Sequence, residues 1–127
     1  MKRIISTADA PQAIGPYSQA VEANGFVFIS GQIPIVPTTG QMPEGIEAQT
    51  EQVMRNIGAI LKAAGLGYAD VVKSTVLLKN IADFAAMNGI YAKYFTTDCP
   101  ARAAFEVGAL PKGALIEVEV IACAANK

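Results

Sequence analysis

Apolar residues recur along this chain with two different periods, and the switches between them mark out its elements. From Ile46 to Ala64 the side chains Ile46, Val53, Ile57, Ile60, Leu61 and Ala64 keep three- and four-residue steps, which predicts an amphipathic helix stopped by Gly65. Gly58 breaks that pattern at a cost of about 1 kcal/mol relative to alanine, so close packing against a neighbour is expected there. Val21 to Ile29 reads as a hairpin, because β-prone residues flank Asn24-Gly25, a dipeptide suited to the positive φ angles of a tight turn. Its second strand, Phe26 to Ile29, runs into Ser30-Gly31-Gln32, where glycine admits the close approach of a ligand or a neighbouring strand. Ile33 to Gln41 carries two prolines and a Thr-Thr-Gly turn and reads as a loop.

Asp70 to Leu78 is rich in Val, Thr and Leu and reads as a strand, after which Asn80 to Asp83 offers capping side chains for a second helix. In that helix Phe84, Asn88 and Tyr91 share one face. Ala101 to Val107 and Ala114 to Ala124 are the last strands, separated by the turn Leu110-Pro111-Lys112-Gly113. Strands, helix, strand, helix, strands without repeat or linker predict one α+β domain over residues 1–127, with helices on one face of a mixed, six-stranded or similar sheet.

The hydrophobic share is 52% and the charged share 17%, the latter below the ordinary level of about a quarter. Apolar surface covered by another subunit is one reading; an alanine-rich monomer is the other. Ten basic and eleven acidic residues leave a formal charge of −1, with no run of Lys or Arg to meet a phosphate backbone. No segment is long and apolar enough to span a bilayer, and the N-terminus lacks the apolar stretch of a signal peptide. Cys99 and Cys123 stand far apart and read as reduced thiols in a cytoplasmic protein. Histidine is absent, which removes Ser-His-Asp and Cys-His mechanisms and His-ligated metals. Acid-base work falls to carboxylates, tyrosines, lysines or water.

Three places could carry chemistry. On the Ala101–Val107 strand, alternation puts Arg102, Ala104 and Glu106 on one face. An arginine beside a small residue suits a carboxylate ligand, and the competing reading is a pair with Glu106 or another acid. On the last strand Glu117 and Glu119 share a face with Leu115 and Ile121; one of them, if poorly solvated, could exchange protons with water near neutral pH, and a solvated outer face is the alternative. Tyr17 follows a Gly-Pro turn that could hold its phenol over a pocket, or it caps a core. No phosphate loop, nucleotide fingerprint or metal-ligand cluster accompanies them.

The runs Ala13-Ile14-Gly15-Pro16-Tyr17-Ser18-Gln19, Ser30-Gly31-Gln32-Ile33-Pro34, Pro100-Ala101-Arg102, Leu110-Pro111-Lys112 and Ile116-Glu117-Val118-Glu119, in this order and spacing, resemble the Rid (YjgF, reactive intermediate deaminase) family over nearly the whole chain. The resemblance implies a bacillary chorismate-mutase-like fold with two helices on one face of the sheet, assembled as a homotrimer with clefts between subunits. It implies hydrolysis of enamines and imines such as 2-aminoacrylate and 2-aminocrotonate to 2-keto acids and ammonia. In that reading Arg102 holds the substrate carboxylate with the amide of Ala104 and backbone groups of Gly31, Glu117 orients and activates water, and Tyr17, Ser30 and Asn88 shape the pocket. No cofactor or metal is implied. This chain has Ala104 where many relatives carry cysteine, and Ala103 where some carry serine or threonine, so a thiol role at this site is excluded. Readings of other classes are a non-catalytic sensor of 2-keto acids, a ribonuclease and a chaperone-like protein; the pI near 5.3 speaks against RNA.

Overall fold

Asn24 and Gly25 both take positive φ, 56° and 84°, closing the two-residue turn expected between β2 (Ala20–Ala23) and β3 (Phe26–Gln32). The computed structural model describes residues 1–124. Around that hairpin the chain adds β1 (Arg3–Ile5), α1 (Ile46–Ala63), β4 (Val71–Leu78), α2 (Phe84–Tyr91), β5 (Ala101–Glu106) and β6 (Ile116–Cys123). The six strands form one sheet in the order β1-β2-β3-β6-β4-β5. It is mixed: β6 runs antiparallel between β3 and β4, whereas β5 pairs with β4 in parallel across α2. The short β1 was not legible in the pattern; it lies beside β2, tied by a 2.5 Å Arg3–Glu22 ion pair.

Both helices bear on one face of the sheet. Val27 and Ile29 of β3, Val76 and Leu78 of β4 and Ile116, Val118, Val120 and Ala122 of β6 are buried in one cluster with Val53, Met54, Ile57, Ile60 and Leu61 of α1 and Met87 of α2. Helix α1 ends as expected. Gly65 (φ 77°) follows Ala64, and the N–H groups of Gly65 and Leu66 donate back to Lys62 and Leu61, completing a Schellman stop. A Cβ on Gly58 would lie 2.1 Å from the Tyr68 hydroxyl, which donates to the Met54 carbonyl at 2.6 Å. The predicted close packing is therefore that of a tyrosine lying across the helix backbone.

Two local expectations change. Neither Asn80 nor Asp83 caps α2 with its side chain; the Ile81 N–H donates instead to the Glu106 carboxylate at 2.8 Å, because β5 ends against that turn. Asp70 belongs to a 3-10 turn rather than to β4, its carboxylate accepting the Gly67 N–H at 2.9 Å. Cys99 and Cys123 are both free. Among the described residues no helix is long and apolar enough to cross a membrane.

The other sheet face carries no helix. Ile4, Phe26, Phe28 and Phe105 lie on it, all 42–53% exposed.

Candidate active site

Glu117 sits on the helix-free face of β6, between the two neighbouring strands. On one side it pairs with Leu77 of β4. On the other, the register of β3 against β6 shifts between Ile29 and Gln32, so β3 carries an extra residue at Ser30-Gly31. A Cβ at Gly31 would lie 2.0 Å from a Glu117 carboxylate oxygen and 2.9 Å from its carbon. Glycine is needed here for space, since its φ is not in the left-handed region. The close approach anticipated from Ser30-Gly31-Gln32 is thus an approach to the Glu117 side chain.

Glu117 is half-buried, and burial pushes its carboxyl pKa up, with the Glu119 carboxylate adding to the rise. Tyr17, Ser30, Gly31, Lys112, Glu117 and Glu119 share the lining of one cleft of about 710 Å³. Tyr17 is 53% exposed at its rim, its N–H donating to the Gly15 carbonyl at 2.9 Å. The Ser30 hydroxyl donates to the Ser18 carbonyl at 2.6 Å, so its proton is committed and its oxygen remains an acceptor. Lys112 enters from a turn in which it adopts φ 58°, ψ 22°.

Buried amides fasten two of the loops that wall the cleft, and a third ties loops outside its lining. Gln19 accepts the Thr7 N–H at 2.7 Å and donates to the carbonyls of Thr7, Ala10 and Pro11. Asn56 of α1 donates to the carbonyls of Ile33 and Ile35, and Gln49 joins Pro43 to Leu115. Sequence reasoning missed all three. The usable signal for Asn56 and Gln49 was a polar residue beside the apolar stripe of α1.

Arg102 occupies a different place. On β5 it pairs with Ser74, which is fully buried beneath the helices, and Ser74 pairs in turn with Val120 of β6. Residues paired across a sheet project to the same side, so Arg102 and Ala104 lie on the helix face while Glu117 lies on the opposite one. Arg102 does not pair with Glu106. Its guanidinium donates to the Asn88 Oδ1 at 2.7 Å and lies 4.8 Å from the Tyr91 ring centroid and 5.4 Å from that of Phe84. No carboxylate lies within ion-pair distance of it among the described residues. The shared face of Phe84, Asn88 and Tyr91 therefore meets Arg102, a link the sequence did not disclose. Beside it a recess of about 430 Å³ opens between Asn88, Phe95 and Cys99. Burial pushes the Tyr91 phenol up, with Ser74 and Arg102 pulling the other way.

The backbone of β5 completes this half. Val107 donates its N–H to Leu78 of β4; by the alternation of a parallel ladder, the amides of residues 102, 104 and 106 point away from β4, off the sheet edge. Ala104 thus presents a free N–H near Arg102. No group of three or more potential metal ligands occurs among the described residues.

The family model described as Endoribonuclease L-PSP matches residues 7–124. The chain is 52% identical over 122 residues to the Reactive Intermediate Deaminase A, chloroplastic, of Arabidopsis thaliana, covering 95% of this chain and 65% of that protein. It is 54% identical over 123 residues to the 2-iminobutanoate/2-iminopropanoate deaminase of Capra hircus, covering 96% and 90%. A Rid-family protein of unknown function from Yersinia pestis has the same fold, with a TM-score of 0.95 at 52% identity over 97% of this chain and 99% of that one.

Proposed function

The chain belongs to the Rid (YjgF) family, and on that footing we propose that it is a deaminase hydrolysing 2-imino acids, with their enamine tautomers, to 2-keto acids and ammonia. The observation that carries this reading is Arg102: a guanidinium fixed by Asn88, free of any acid within ion-pair distance among the described residues, beside the outward amide of Ala104. A flat, bidentate donor next to a backbone N–H suits a substrate carboxylate.

Water adds to the carbon of the protonated imine and gives one proton to Glu117, forming a neutral carbinolamine; Glu117 returns that proton to the nitrogen, the C–N bond breaks to release ammonia, and the hydroxyl gives up its proton to leave the keto carbonyl. An enamine first gains a proton at carbon and becomes the protonated imine. A carboxyl pKa raised by burial makes Glu117 a stronger base than an ordinary glutamate, suited to this exchange. Tyr17, Ser30 and the backbone of Gly31 shape the water side, and Asn88 the carboxylate side. The substrates we assign are the 2-imino acids named for the goat relative and the enamines 2-aminoacrylate and 2-aminocrotonate.

Arg102 and Glu117 occupy opposite faces of one sheet, so one chain does not close a site around a three- or four-carbon substrate. We therefore assign the working form to a homotrimer in which Arg102 of one subunit meets the Glu117 cleft of the next; the exposed apolar residues on the helix-free face supply surface for that assembly. Two unpaired thiols fit a cytoplasmic workplace.

Keto-acid and ammonia release from imines generated in situ by an amino-acid oxidase tests the proposal. Acceleration is expected from the native protein and a loss of roughly a hundredfold or more in Arg102→Ala, the equivalent of two charged hydrogen bonds. Saturable keto-acid binding without any acceleration would replace the deaminase by a ligand sensor.

A further inference from the structure

We propose that Phe84 and Tyr91 are positioning residues for Arg102, a two-ring bracket that sets the plane of the guanidinium so that its unbonded N–H groups face the ligand. An arginine on an exposed edge strand has several rotatable bonds, and ordering them at the moment of binding weakens affinity. Here much of that ordering is already done. Both ring centroids lie within the ~6 Å range of a cation–π contact. The two rings stand seven residues apart on α2 with Asn88 between them, so one helix face supplies two stacking surfaces and one acceptor.

The bracket has a fixed and a softer member. Tyr91 is buried, and its ring rests 4.7 Å, centroid to centroid, from that of Phe95. Phe84 is half-buried at the start of α2. The Tyr91 hydroxyl makes no hydrogen bond among the described residues, nor does the hydroxyl of Ser74, the residue paired with Arg102 on β4. Arg102 also draws on the Tyr91 phenol through charge, but without a well-formed hydrogen bond to the hydroxyl it is the ring that sets the guanidinium plane.

This inference rests on Arg102 being the carboxylate anchor, and the experiment separates the two. Pyruvate and 2-ketobutyrate binding is measured by calorimetry on the assembled wild-type protein and on Arg102→Ala, Phe84→Leu, Tyr91→Leu and Tyr91→Phe, with KM and kcat for an imine alongside. Phe84→Leu and Tyr91→Leu are expected to weaken binding about tenfold and to raise KM with little change in kcat, while Tyr91→Phe, which keeps the ring, binds as wild type. The ring-current shift of the Arg102 δ-methylene protons should persist in Tyr91→Phe and shrink in the leucine variants. If Tyr91→Leu fails to fold, Phe84→Leu decides. Wild-type binding in Phe84→Leu and in a folded Tyr91→Leu, with Arg102→Ala impaired, would overturn the bracket; so would equal losses in Tyr91→Phe and Tyr91→Leu. Undiminished binding in Arg102→Ala would instead remove the anchor itself.

Discussion

Around Glu117 there are two strands and a set of loops, several of them tied down by buried amide side chains; around Arg102 there is a helix face and an edge strand, and the fastening is aromatic. Gln19, Asn56 and Gln49 bind backbone carbonyls and amides, so they fix where the chain runs and leave the carboxylate in a partly dry cleft. Phe84 and Tyr91 fix where a cation points and leave the backbone of β5 open. In the proposed roles the two regions solve different problems: a base must be poorly solvated to gain strength, whereas an anchor must stay charged and keep its donors free. One face of one sheet would serve both demands poorly, and the chain divides them between two faces.

The sharpest way to break this division is to mix defective chains. If each site takes Arg102 from one subunit and Glu117 from its neighbour, inactive Arg102→Ala and inactive Glu117→Gln, co-expressed or refolded together in equal amounts, should regain about a quarter of the wild-type sites, by random assembly of a closed ring. No recovery, with mixed trimers confirmed by mass spectrometry, would put both residues to work within one chain. A smaller effect is expected from Gly31→Ala. The added methyl meets the end of a flexible side chain, so the melting temperature should hold while turnover falls by about tenfold or more as the carboxylate is pushed aside. Unaltered turnover would show that the base acts from another position.

The smallest and most diagnostic effect concerns pH. If Glu117 is the base we propose, it works only when ionised, so kcat/KM should fall as pH drops through its raised pKa. Removing the Glu119 charge in Glu119→Gln takes away the second cause of that rise and leaves burial in place, so the acid limb should move to lower pH without returning to that of an ordinary glutamate. Stability runs in the opposite sense. A carboxyl whose folded pKa lies above its unfolded value costs stability once ionised, so the penalty appears as pH rises through that window, and Glu117→Gln should be more stable than wild type at neutral pH. An unmoved limb in Glu119→Gln would remove Glu119 from the account.

Much of the scaffold was legible because local physics decides it. Asn24-Gly25 dictates a turn, and the stripe through Val53, Ile57 and Leu61 dictates a helix face, whatever the rest of the chain does. The last strand alternated as read, with Ile116, Val118, Val120 and Ala122 inward. What stayed hidden depended on distant pairing. Alternation placed Arg102 with Glu106 on a face, but only the register against Ser74 reveals which face it is, and only α2 reveals that Asn88 is its partner while Glu106 turns to Ile81. The buried amides were invisible for the same reason: their partners are backbone groups of loops, which carry no side-chain signature.

The irregular register of β3 has a further meaning for how this strand can change. Remove one residue at Ser30-Gly31 and the pairing with β6 could run unbroken from Phe26 onward, with every inward and outward position in step. Such a chain would hold a tidier sheet and would close over the floor of its own cleft. The flaw in the ladder is thus an opening kept in a wall: a shorter sequence that scores better as a strand is the one in which Glu117 loses its room.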